Sequence, residues 1–182
     1  MYSVEDFFKK KGMNTSSYNI KDENQYIENS LDEIKKIQEF DKMKSKVLKY
    51  ALYKKRTEQE IRQKFSKELE ENMLYDIIEV LKENSYIDDY NYIERTVNEY
   101  IKLKNLSIKE IKYKLYSKGI KNNLIEEYIS ENIDLLNEYE EKSVYNIIYK
   151  KQNNMEEDEL KAYLLKKGYK EEKINKALHG GE

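Results

Sequence analysis

The sequence predicts an all-α protein: three tandem three-helix units forming an elongated, curved array, preceded by a short helical N-terminal segment. Composition is the first reason. The 182 residues contain no Pro, only 5 Gly, and 38% charged against 38% hydrophobic residues, and are rich in Lys, Glu, Ile and Leu. Few helix breakers and many helix formers read as nearly all helix, and 18 Tyr with 4 Phe supply apolar bulk for a core. The second reason is a repeat. A polar or acidic residue, an apolar anchor, a cation directly after it and a second anchor four residues on recur in Thr57–Phe65, Ser107–Leu115 and Glu156–Leu164. The first anchors are Ile61, Ile111 and Leu160, spaced by 50 and 49 residues. A period of that length marks a supersecondary module, and modules in series make an array. The third reason is punctuation, because helix starts and stops fall at matching places in the units.

Taken in order, residues 1–40 form the N-terminal segment. Val4, Phe7 and Phe8 give a short apolar pattern, Lys11–Ser17 break it, and Tyr26, Ile27, Leu31, Ile34 and Ile37 resume helical spacing. The first repeat spans 41–86. Met43, Val47, Leu48, Ala51 and Leu52 build one helix, ending in the cations Lys54, Lys55 and Arg56. Thr57 with Glu60 then forms a capping box for a helix reaching about Leu69, and Met73, Ile77, Ile78 and Leu81 mark a third.

The second repeat, 87–135, opens on the acidic cap Asp88-Asp89, with helices expected at about 89–104, 107–118 and 122–135. Ser107 and Glu110 make another capping box. Lys118-Gly119-Ile120 is a stop, with Gly suited to the left-handed position and an apolar residue after it. The third repeat and tail, 136–182, has helices at about 137–152, 155–167 and 171–178, with the same stop at Lys167-Gly168-Tyr169. The first repeat lacks that Gly, so its middle turn should differ.

The absence of Cys excludes disulfides, thiolate chemistry and cysteine-ligated zinc. No apolar run has the roughly 18 residues of a membrane span, which points to a cytoplasmic protein without a membrane partner. The one histidine, His179, lies in the tail, and no phosphate loop, metal-ligand spacing or nucleophile elbow occurs. Asp88-Asp89 can be read as metal ligands, but the pair is explained by N-capping. The expectation is a monomeric, non-enzymatic binding protein with no cofactor.

Net charge is −2, yet charge comes in blocks. Seven lysines between Lys102 and Lys121 face only Glu110, and seven acids between Glu126 and Glu141 face no cation. Local patches therefore decide which partners are attracted. At about 100° per residue, Lys112 lies on the flank of the helix whose core face carries Ile111 and Leu115. Arg62 and Lys161 hold the equivalent place. With Lys64, Lys109, Lys114, Lys118 and Lys166 they form the candidate partner-binding set. Such a row either engages a repeating anionic surface or covers apolar surface with its stems. Tyr113, Tyr116 and Tyr163 likewise either stack on bases or pack at the core edge.

Four segments carry a resemblance: Ala51–Arg62, Leu81–Ile93, Ile108–Ile120 and Tyr163–Tyr169. In their order and spacing they resemble the RecX family, bacterial regulators of the RecA recombinase, over about residues 46–178. The resemblance implies tandem three-helix repeats lying in the groove of the RecA–DNA filament. There they would restrain ATP hydrolysis, strand exchange and the filament's assistance to repressor self-cleavage, in recombination, repair and the SOS response. It carries over no catalytic residues. RecA filaments are thus the expected partner, and single- or double-stranded DNA bound without RecA is the competing one.

Overall fold

A computed structural model describes residues 20–180, and of residues 20–27 the backbone only. The expected apolar pattern at Val4, Phe7 and Phe8 lies outside the described residues. Among the described residues every regular element is an α-helix. Two compact units divide between Ser45 and Lys46. That division falls inside α1 (Ile20–Tyr53), which also runs unbroken across residue 40, where the sequence suggested a boundary. Nothing in Gln38–Lys42 could stop a helix.

In the first unit, Leu31, Ile34 and Ile37 are exposed on α1. The ion pairs there are local, Lys35 to Asp32 at 3.0 Å and Lys44 to Asp41 at 2.6 Å. They contribute a few tenths of a kcal/mol each, about 0.5 at most.

The second unit holds three modules. In the first, Val47 and Ala51 from α1 are buried along with Ile61 and Phe65 of α2 (Glu58–Phe65) and Leu74, Ile77, Ile78 and Leu81 of α3 (Glu71–Glu83). Tyr50 packs edge-on against Phe65, ring centres 5.5 Å apart. The turn after α2 closes on the Phe65 carbonyl, which accepts from the N–H groups of Glu68 and Leu69, and no left-handed residue is needed. The left-handed residue of this module is Ser85 (φ 57), after α3.

The second module comprises α4 (Asp89–Leu103), α5 (Ile108–Tyr116) and α6 (Asn122–Glu131). The third comprises α7 (Ile133–Lys151), α8 (Glu157–Lys166) and α9 (Glu171–His179). Gly119 (φ 78) and Gly168 (φ 89) take the left-handed conformation after α5 and α8, where an L side chain is strained. Where the sequence suggested helices 122–135 and 137–152, the break comes earlier. Asn132 leaves helical geometry at φ −113, ψ 22, and its side-chain amide donates to the Tyr128 carbonyl, ending α6.

One helix serves two cores. Leu136 and Tyr139 of α7 complete the core of Ile93, Val97, Ile111, Leu115, Ile125 and Ile129. Val144, Ile147 and Ile148, from the same helix, pack with Leu160, Leu164, Tyr169 and Ile174. Each such aliphatic side chain stabilises the fold by about 1.5–3 kcal/mol when fully buried.

Candidate partner-binding site

The cations of interest ride on the middle helix of each module. α2 and α5 begin with full capping boxes: Thr57 and Ser107 accept from the N–H groups of Glu60 and Glu110, whose carboxylates reach back to the cap. α8 starts at Glu156 with no side-chain cap, leaving the acids Glu157, Asp158 and Glu159 to answer its N-terminal dipole. The anchor pairs Ile61/Phe65, Ile111/Leu115 and Leu160/Leu164 are all buried. That fixes the helix rotation and puts Arg62, Lys112 and Lys161 on the same half-buried flank.

Each of these three cations is tied within its own module. Arg62 pairs with Glu58 at 2.7 Å and lies over the Tyr75 ring at 5.8 Å. Lys112 meets Glu126 of α6 at 2.6 Å, and Lys161 meets Glu171 of α9 at 2.7 Å. Burial acts to raise the Glu58 carboxyl, but hydrogen bonds and charge from Arg62 and Lys82 outweigh it and hold it low. The Lys161 ammonium likewise holds Glu171 below the usual carboxylate range. The recurring cation therefore clamps middle helix to last helix, or to its own first turn, with much of its charge already answered.

Lys118 belongs to a junction. Its ammonium lies 3.1 Å from Glu60 of the preceding module, and that carboxylate raises the Lys118 pKa. The contact recurs one module on, with Lys167 at 2.9 Å from Glu110 and likewise raised. Lys64, Lys109, Lys114 and Lys166 make no ion pair among the described residues. Lys64, Lys109 and Lys166 are exposed, Lys114 is half-buried, and the Lys109 stem lies close against Gly168. Thus the eight candidates divide into three intramodular clamps, one junction tie and four lysines with ammonium groups free for a partner.

Asp89, marked in the sequence as part of a cap, and Glu140, not marked at all, hold the junctions. The Asp89 carboxylate accepts the Glu58 N–H at 3.0 Å, and burial raises its pKa. Glu140, 2% exposed, accepts the Ile108 N–H at 2.7 Å and pairs with Lys173 of α9 at 2.7 Å. Asp88 caps α4 through the Asn91 N–H at 2.9 Å. Capping and junction bonding account for the Asp88-Asp89 pair, and the described residues hold no cluster suited to a metal ion. A clue to the ties was available in the repeat itself. Glu60 precedes Lys118 by 58 residues and Glu110 precedes Lys167 by 57, each lysine standing before a stop glycine. Glu140 gave no such clue among its acidic neighbours.

The described helices include none long and apolar enough to cross a membrane. The chain is 40% identical over 85 residues to a protein named Regulatory protein RecX from Finegoldia magna, covering 46% of this chain and 42% of that one. It is 32% identical over 148 residues to the protein of that name from Clostridium perfringens, covering 77% and 68%. The chain thus spans less than half of the first relative and about two thirds of the second. A crystal structure of regulatory protein RecX matches with TM-score 0.73 at 22% identity, over 83% of this chain and 77% of the other. RecX from Lactobacillus salivarius matches with TM-score 0.67 at 23% identity, over 79% and 97%. At these identities the likeness shows a shared helical-repeat fold. No protein-family model matches the chain.

Proposed function

The chain belongs to the RecX family of regulatory proteins, and we propose that it binds RecA nucleoprotein filaments. In this reading it acts in the cytoplasm as a monomer and restrains ATP hydrolysis, strand exchange and the filament's assistance to repressor self-cleavage. Its role is binding, with neither cofactor nor chemistry of its own. The observation that supports this best is the tandem array. Modules joined by the same contacts twice over (Glu60 to Lys118, Glu110 to Lys167) repeat their contact points at a fixed interval. A filament repeats its subunits too, and linked weak contacts multiply.

The test is to titrate the protein into RecA hydrolysing ATP on single-stranded DNA. Substoichiometric protein should slow hydrolysis. No effect on RecA from the same organism, across a full titration at moderate salt, would remove this reading.

A further inference from the structure

Two clefts stand at equivalent places in the second unit, one at each module junction. The first has a volume of about 400 Å³ and the second about 520 Å³. Ala51 and Lys55 line the first, and 50 residues later Ile101 and Asn105 line the second. On the opposite wall, Asn91, Tyr92 and Arg95 recur 51 residues on as Lys142, Ser143 and Asn146. A polar contact spans each: Lys55 Nζ donates to Asn91 Oδ1, and Asn146 Nδ2 to Asn105 Oδ1, both at 3.2 Å.

Charge in both is lopsided. Lys55, Arg56 and Arg95 face the single acid Asp88 in the first cleft. In the second, Lys102, Lys104, Lys142 and Lys150 face the single acid Glu138, which pairs with Lys142 at 2.6 Å. Arg95, Lys102 and Lys150 make no ion pair among the described residues. Each cleft also holds a buried polar atom with no hydrogen-bond partner among the described residues, Arg56 Nε in one and Ser143 Oγ in the other. An unmet buried polar atom is costly and rare, and each cleft has one, on the Lys55 wall in the first and on the Lys142 wall in the second. Burial and the Arg95 charge together lower the Lys55 pKa, outweighing the opposite pull of Asp88.

We propose that the two junction clefts are seats for the phosphates of one nucleic-acid strand, one seat per junction. Ammonium groups, side-chain amides and a hydroxyl are the donors that phosphate oxygens take. Half-exposed Tyr86 at the first cleft offers a face for a base. The seats are distinct from the flank carrying Arg62, Lys112 and Lys161, and the inference stands without RecA.

The test uses the full chain, no RecA, and a labelled thymidine oligonucleotide of about 20 nucleotides, long enough for two such seats. Fluorescence anisotropy at low and moderate salt compares the parent with Lys55→Gln/Arg95→Gln, Lys102→Gln/Lys150→Gln and the fourfold variant. Each double change should weaken binding about fivefold or more and make the salt slope shallower by about 1. The fourfold change should weaken binding further than either. A variant with Gln at 62, 112 and 161 should bind like the parent, and polyglutamate of matched charge should not compete. Circular dichroism checks that each variant is folded, as expected for exposed side chains. The proposal fails if the parent does not bind the strand, if both double variants bind like the parent, or if polyglutamate competes equally.

Discussion

The Ser107 hydroxyl donates to the Lys167 carbonyl at 2.6 Å while accepting the Glu110 N–H at 3.0 Å. One side chain thus caps its own helix and holds the next module. Thr57 does the same one junction earlier, donating to the Lys118 carbonyl at 2.8 Å. Both residues are fully buried.

Ser107→Ala should therefore cost more than an ordinary cap. Loss of the cap costs about 1 kcal/mol, and an unmet buried carbonyl adds about 1–3 kcal/mol. A urea midpoint shift worth about 2–4 kcal/mol is expected. A loss under about 0.5 kcal/mol would mean the junction bond is already replaced by water.

The Glu140–Lys173 pair should show strong coupling. Lys173→Met leaves a 2%-exposed carboxylate without its cation, a loss of about 3–5 kcal/mol. Adding Glu140→Gln should recover part of it, since the amide oxygen can still accept the Ile108 N–H. A double variant less stable than Lys173→Met alone would contradict this account, and a double-mutant cycle measures it.

Tyr169→Phe should be neutral or stabilising by up to about 1 kcal/mol. The Tyr169 hydroxyl is buried with no hydrogen-bond partner among the described residues, and burial pushes its ionisation far above the ordinary range. Removing an unsatisfied polar atom while keeping the ring removes a desolvation cost. A clear drop in Tm would reveal a partner for that oxygen.

Stability should fall at alkaline pH through the junction lysines. Glu60 and Glu110 raise Lys118 and Lys167 above the 10.5 of free lysine. A raised folded pKa gives stability that is complete below the unfolded value and lost as pH rises through the folded one. Tyr90, pushed up to about 12 by its hydrogen bond to Glu131, acts in the same direction. Urea midpoints from neutral pH to above 10.5 should decline less steeply in Glu60→Gln/Glu110→Gln than in the parent. Parallel curves would show that the ties do not contribute to the alkaline loss.

If the unpaired lysines meet the filament, Lys109→Glu/Lys114→Glu should weaken binding to RecA filaments by about 2 kcal/mol, because reversal adds repulsion to lost attraction. Stability should change by less than about 1 kcal/mol, since neither ammonium is paired among the described residues. Filament co-sedimentation is the measurement. Binding equal to the parent's would place the contact elsewhere.

What could be read from the chain follows from how local each signal is. Thr57 with Glu60, and Ser107 with Glu110, are three residues apart, so their capping boxes are visible in sequence, and Gly119 and Gly168 announce their own backbone geometry. The length of α1 was obscured by its changing environment. Its apolar spacing drifts between exposed Leu31–Ile37 and buried Val47–Ala51, and drift resembles a break. The ends of α6 and α7 were misplaced because Asn132 ends one helix and begins the next with no intervening turn. In the site, position around the helix was readable and pairing was not. Lys112 finds Glu126 and Lys161 finds Glu171 at different separations. Whether a flank cation is free depends on such tertiary partners.

The double duty of α7 sets the frame in which this architecture can gain or lose a copy of itself. A crossover at Asn132 looks natural, since one module ends there. Yet it would strip Leu136 and Tyr139 from the second core and expose Ile111 and Leu115. A cut inside α7, between Tyr139 and Val144, keeps each half with the core it serves. The heritable unit of the array is therefore offset from the visible one by about half a helix.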